Sequence, residues 1–135
     1  MNFEKTYTAS PDDIACIERG LTDHNLTVTG TPNETIVFLA REKGEIRGGL
    51  KALKAGPSFL IKFLWVNPDW QKKGIGKALM KMAEEEAQLR ECTRLHVDTM
   101  EFRSPDFYKR LGYEVKAIIK DYSRGYDRIY FEKQV

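Results

Sequence analysis

The stretch Phe63-Leu64-Trp65-Val66-Asn67-Pro68-Asp69-Trp70-Gln71-Lys72-Lys73-Gly74-Ile75-Gly76-Lys77-Ala78-Leu79 decides the reading of this chain. An apolar β-type run gives way to a turn at Asn67-Pro68-Asp69. Two glycines then open a segment whose Ile75, Ala78, Leu79 and Met82 share one face of a helix. A helix start has N–H groups without internal partners and carries the positive end of the dipole. Glycine lets such backbone approach a ligand closely, so a strand leading to Gly74 and Gly76 is a place to hold phosphate. The charges agree. Lys72, Lys73 and Lys77 crowd the helix start, and Glu84-Glu85-Glu86 come two turns later, an order that costs stability unless an anion sits among the lysines. The alternative is a solvated helix with a few unfavourable lysines.

Two familiar phosphate loops do not fit. A nucleoside-triphosphate P-loop requires a glycine where Gln71 stands and a hydroxyl after Gly76-Lys77, where the chain has Ala78. A dinucleotide fingerprint requires a third glycine at Leu79 and a parallel βαβ unit, whereas the upstream pattern is that of hairpins.

The stretch resembles the acyl-CoA pyrophosphate loop of the GNAT superfamily of N-acetyltransferases, Arg/Gln-x-x-Gly-x-Gly/Ala after a strand ending Leu-x-Val-x-Pro. Here these are Gln71-Lys72-Lys73-Gly74-Ile75-Gly76 and Leu64-Trp65-Val66-Asn67-Pro68. Downstream, Phe107-Tyr108-Lys109-Arg110-Leu111-Gly112-Tyr113 is similar to the family's Phe-Tyr-x-Lys-x-Gly-Phe segment, with departures at Arg110 and Tyr113. Asp98-Thr99, Phe102, Pro105 and Phe107-Tyr108 further resemble a compact bacterial subgroup.

The rest of the chain is compatible with this. Its 135 residues suit one domain, 1–135, with a core that needs neither disulfide nor metal. The net charge of +2 points to no nucleic-acid partner. Cys16 and Cys92 lack metal-ligand spacing. The absence of an apolar leader or a membrane-length run leads to the expectation of a cytoplasmic protein without membrane contact.

In order, the residues predict a short strand over Phe3–Tyr7 and a helix capped by Ser10-Pro11 that turns Ile14, Ile17 and Leu21 inward and fades near Asp23-His24-Asn25. A hairpin over Thr35–Arg41 and Ile46–Leu53 turns at Lys43-Gly44, and Gly48-Gly49 marks a bulge or a close approach. A third strand, Phe59–Val66, leads into a helix from about Gln71 to Arg90. Arg94–Thr99 is then a strand parallel to Phe59–Val66. A short helix after Ser104-Pro105 ends at Gly112, and strands Glu114–Lys120 and Tyr126–Lys133 close the chain. The order β-α-(α)-β-β-β-α-β-α-β-β is the one the resemblance implies: an α/β GNAT acyl-CoA N-acyltransferase fold, a mixed sheet of about six to seven strands with helices on both faces.

For function, the resemblance implies acetyl-CoA as co-substrate, no metal, and direct transfer of the acetyl group to a primary amine of a small molecule or peptide. The cofactor would be held by Leu64, Trp65, Val66, Gln71, Lys72, Lys73, Gly74, Ile75, Gly76 and Lys77, with the backbone of Leu64 and Val66 pairing to the pantetheine arm. Tyr108 aligns with the family tyrosine that protonates the departing thiolate; its alternative is a packing residue beside Phe107. The base is open. Lys62-Phe63 stands where many relatives have an acid, leaving Asp98 as the catalytic candidate, with His96 and Glu101 beside it. His24, Asn25 and Tyr122 fall where relatives line the acceptor pocket. Relatives often form dimers, which the aromatics of the last hairpin would suit. The rival reading is a non-catalytic acyl-CoA-binding sensor or scaffold module.

Overall fold

The computed structural model describes residues 1–135, which form two compact units, Met1–Pro32 and Asn33–Val135. The first contains one helix, α1 (Pro11–Thr29). Ser10 caps it by accepting from the Asp13 N–H at 3.1 Å, Pro11 occupies its first turn, and Asp12 and Asp13 face the positive end of the dipole. The helix does not fade at Asp23-His24-Asn25. It continues to Gly30, whose φ of 71° is left-handed and whose N–H returns to the Leu26 carbonyl. Histidine and asparagine are mediocre helix formers, but nothing short of a left-handed residue stops this helix. Ile14, Ile17 and Leu21 do share a stripe, yet they are exposed rather than inward, because residues 1–32 contain no second element for it to pack on. The strand expected over Phe3–Tyr7 is absent. There the Thr8 N–H donates to Thr6 Oγ1 at 3.0 Å, a local bond that competes with strand pairing.

The second unit is a six-stranded sheet. Its elements are β1 (Glu34–Glu42), β2 (Glu45–Ala55), β3 (Ser58–Val66), a 3-10 turn (Pro68–Trp70), α2 (Ile75–Leu89), β4 (Arg94–Met100), α3 (Pro105–Arg110), β5 (Glu114–Ser123) and β6 (Tyr126–Gln134). The sheet order is β1-β2-β3-β4-β6-β5, antiparallel except for β3 beside β4, with α2 as the crossover between those two. At the first hairpin, Lys43 and Gly44 both have left-handed φ, as a tight two-residue turn demands. No helix is long and apolar enough to cross a membrane.

One face of the sheet is buried under α2. Leu50, Ala52, Phe59, Ile61, Leu95, Val97 and Phe131 meet Leu79, Met80, Ala83 and Ala87, with Tyr108 and Tyr113 in the same core. Each large side chain buried here contributes about 1.5–3 kcal/mol. The buried stripe of α2 is rotated from the one expected: Ala78 and Met82 are exposed, while Met80 and the small Ala83 and Ala87 face inward and let the helix lie close to the sheet. At Gly48 the approach is closest. A Cβ there would stand 3.0 Å from the Trp65 carbonyl oxygen and 3.1 Å from Ile75 Cγ2, so glycine lets the start of α2 sit against β2 and β3. A bulge also occurs beside it, at Arg47, where the β1–β2 register shifts.

Glu84 ties α2 to the closing strands. It accepts from Tyr113 Oη at 3.0 Å and from Lys133 Nζ at 3.2 Å. Burial first, and then this carboxylate, push the Tyr113 phenol well above its ordinary range. Glu84→Ala would strand both donors in a part-buried site and is expected to lower stability by about 1–3 kcal/mol. The measurement is the urea midpoint at unchanged m-value; a midpoint equal to that of the unaltered protein would show the clamp to be inert.

Candidate active site

The site begins with an irregularity in β3. Pairing with β2 runs Lys51 to Phe63 and then Ala52 to Ile61, so Lys62 is an extra residue, a β-bulge. Parallel pairing with β4 stops at the same place: Ile61 opposite Val97 is the last pair, while β4 continues to Met100 against β6. Beyond Lys62, β3 is thus free of β4. Leu64, Trp65 and Val66 run along one wall of a wedge that opens between two parallel strands.

At the far end of that wall the chain turns through Pro68–Trp70 and the loop 71–74. The helix expected from Gln71 starts only at Ile75, because Lys72 (φ 61°) and Gly74 (φ 83°) are left-handed, which no helix accommodates. Gly74 caps α2 without a side-chain bond, leaving the first N–H groups of the helix without a side-chain cap. Gln71 acts as a staple, its Nε2 donating to the Val66 carbonyl at 3.2 Å and tying the loop to the strand.

The wedge is a cleft of about 810 Å³. Of the expected cofactor residues, Leu64, Trp65, Val66, Gln71, Lys72, Gly74, Ile75, Gly76 and Lys77 line it. Lys73 does not; its ammonium lies 4.7 Å from the Trp70 ring, which carries the Arg47 guanidinium at 4.9 Å as well. Asp98 and Tyr108 line the cleft together.

Tyr108 comes from α3, whose brevity follows from Pro105 at its start and the left-handed Gly112 just past its end. Its ring is 7% exposed and packs edge-on to Phe107 at 5.1 Å and Tyr113 at 6.0 Å, and tilted to Phe131 at 5.7 Å. Burial first, then the Asp98 carboxylate, push the phenol up to about 12, with Arg103 opposing. The hydroxyl therefore keeps its proton throughout the physiological range.

Asp98 is paired with Arg128 through its Oδ2. Burial works against the Arg128 charge, but the hydrogen bond and attraction from Asp98 outweigh it and raise the guanidinium above its ordinary value. The same guanidinium lies 5.0 Å from the Tyr122 ring, so Tyr122 reaches the site through Arg128. The other two candidate bases lie elsewhere. His96 lines a second depression of about 710 Å³ with Tyr130 and Glu132, which meets the first at Val97 and Asp98. Glu101 accepts from the Asp127 N–H at 2.8 Å and closes a turn. His24 and Asn25 are exposed residues in the body of α1.

Lys62, Met100 and Arg103 were not legible as site components, and neither was the pairing of Asp98 with Arg128. The one available signal was spacing. Ile61 and Leu64 face the same side three residues apart, which a regular strand does not allow.

A crystal structure from Agrobacterium tumefaciens, of a protein assigned as an acetyltransferase, superposes with a TM-score of 0.91 over 100% of both chains at 27% identity. A Bacillus anthracis protein named for streptothricin acetylation, solved with acetyl coenzyme A, shares the fold at a TM-score of 0.68 and 17% identity, over 75% of this chain and 63% of its own. The fold is thus that of an acyltransferase. In sequence, the blasticidin-S acetyltransferase of Streptomyces morookaense is 37% identical over 91 residues, 65% of each chain, so the match spans just under two thirds of that relative. Residues 33–115 match the model of the acetyltransferase (GNAT) domain, and the chain belongs to that family of acyltransferase enzymes.

Proposed function

We propose that the protein transfers an acetyl group from acetyl-CoA directly to a primary amine. The observation that carries this is the parting of β3 from β4 at Lys62, which frees the Leu64–Val66 backbone along a cleft ending at the glycine-led start of α2. A pantetheine arm adds to that wall as a strand would, and the pyrophosphate meets the α2 N–H groups at Gly74, Ile75 and Gly76 with Lys72 and Lys77 beside them. Lys73 contributes from outside the cleft wall, through the general field of the loop. The acetyl coenzyme A held by the B. anthracis neighbour supports the choice of co-substrate, and membership in the acetyltransferase family favours an enzyme over a non-catalytic binding module.

The amine attacks the thioester carbonyl, the C–S bond breaks, and the thiolate takes the Tyr108 proton. Asp98, with Oδ2 held by Arg128, offers Oδ1 to accept the proton the amine must lose, directly or through a water. Tyr122 holds Arg128 from the acceptor side. The exposed Ile118, Ile119, Tyr122 and Tyr126 of the last hairpin suit a homodimer. The setting is cytoplasmic.

The experiment is thiol release from acetyl-CoA with a panel of amines, alongside the thermal shift produced by acetyl-CoA alone. Turnover with any amine supports the reading, and binding without turnover on any amine returns the protein to the sensor class. Because the Tyr108 acid form persists to about pH 12, the rate should show no alkaline fall from loss of this proton below pH about 10. A fall centred near 8 that disappears in Tyr108→Phe would contradict the assignment.

A further inference from the structure

We propose that the amine acceptor carries a carboxylate, and that Lys62 and Arg103 bind it. This rests on the acetyl-CoA reading above and narrows it. The cleft is lined by six cations, Lys62, Lys72, Lys77, Arg103, Arg110 and Arg128, and by a single carboxylate, Asp98. Lys72 and Lys77 stand at the glycine-led end, where the phosphates of the cofactor account for them. Lys62 does not belong to that group. It is four residues before Val66 on β3, about 13 Å away at the rise of a strand.

Arg103 lies in the connection between β4 and α3, on the Tyr108 side of the cleft, and its charge acts on that phenol. Arg128 is neutralised by Asp98. Lys62 and Arg103 have no ion-pair partner in the protein, and both are exposed to an incoming ligand. The carboxylates nearest Arg103 in sequence are used elsewhere: Glu101 holds the Asp127 N–H, Asp106 lies 4.0 Å from the Lys109 ammonium, and Asp98 is paired with Arg128. Three cations of the cleft, Lys62, Arg103 and Arg110, are therefore left uncompensated, and Lys62 at the β3 bulge and Arg103 in the β4–α3 connection are the two that we assign to the acceptor.

A polyamine entering there would add like charge in a partly desolvated place, which is disfavoured. An amine with a carboxylate meets both cations. The same charges also help the chemistry. A positive field disfavours an ammonium and so lowers the pKa of the acceptor, supplying more of the neutral amine that attacks the thioester.

The test compares kcat/KM at saturating acetyl-CoA for L-lysine, L-lysinamide and cadaverine, and for β-alanine and β-alaninamide. The carboxylate-bearing member of each set is expected to lead its amide by about tenfold to a hundredfold, the range of hydrogen bonds to charged groups. In Lys62→Ala with Arg103→Ala that ratio should fall to within about threefold, and Arg103→Lys should restore part of it. Amides or cadaverine equalling the carboxylates would overturn the proposal, as would an absence of turnover on every carboxylate-bearing amine. The thermal shift with acetyl-CoA separates the two failures. A normal shift confines the failure to the acceptor, and no shift removes the cofactor reading and this inference with it.

Discussion

Tyr108→Phe is expected to leave acetyl-CoA bound and to slow acetyl transfer about 100- to 10,000-fold, the range contributed by a positioned general acid. The substitution removes one oxygen and little else. The ring's neighbours, Phe107, Tyr113 and Phe131, meet it through aromatic edges and faces that phenylalanine reproduces. Stability should therefore change little, and the loss should appear in kcat rather than in the thermal shift with acetyl-CoA. The hydroxyl also has no easy substitute. The other groups lining the cleft beside it are Asp98, which accepts, and Arg128, whose guanidinium is held charged by Asp98. A fall of less than about threefold would leave Tyr108 as a packing residue and the leaving group to water.

Gly76→Asp should separate folding from binding by moving them in opposite directions. A Cβ at this position meets Phe107 at 3.5 Å and Val66 Cγ2 at 3.8 Å, ordinary contacts that need no rearrangement. A carboxylate in the first turn of α2 interacts favourably with the dipole and with Lys72, Lys73 and Lys77. The unliganded protein should be unchanged or more stable by about 0.3–1 kcal/mol. The same carboxylate faces the place assigned to the cofactor phosphates, and like charges there cost several kcal/mol, so acetyl-CoA affinity should fall about 100-fold or more. Gly76→Ala, with the same contacts and no charge, should bind nearly as the unaltered protein does. Calorimetric titration of the three proteins decides it; equal affinity in the aspartate variant would move the phosphates away from this helix.

The contrast between what the residues announced and what they did not has a physical basis. Short-range signals were legible. Lys43-Gly44 forms its turn, Ser10-Pro11 caps its helix, and the glycines at 74 and 76 open α2, because each depends on the conformational preferences of one or two residues. Tyr108 and Asp98 could be named because they stand in a recognisable local pattern, and they line the same cleft. What could not be read depended on distant partners. Arg128 is thirty residues from Asp98 and meets it only because β4 and β6 pair in the observed register. The burial of α2 was misjudged by a rotation of its stripe, since Met80, Ala83 and Ala87 are chosen by the sheet beneath rather than by hydrophobicity alone. The strand expected over Phe3–Tyr7 failed for the same reason: propensity supplied the residues, but no ladder was there to receive them.

Lys62 shows what one residue can do to a sheet. With it, Ile61 and Leu64 both face the core although three positions separate them, and the strand kinks away from its parallel neighbour. Remove it and the alternation Ile61, Phe63, Leu64, Trp65, Val66 becomes regular, with the same apolar side chains still directed inward. Such a shortened chain loses the obstacle to continued pairing, so β3 and β4 can zip together as far as Trp65 opposite Met100, the end of β4. The sheet gains hydrogen bonds and the groove is lost. A single deletion would thus give a better-knit protein with no room for the proposed acetyl-CoA, which makes the incomplete sheet a fixed cost of the proposed function and the bulge the place where that cost is held.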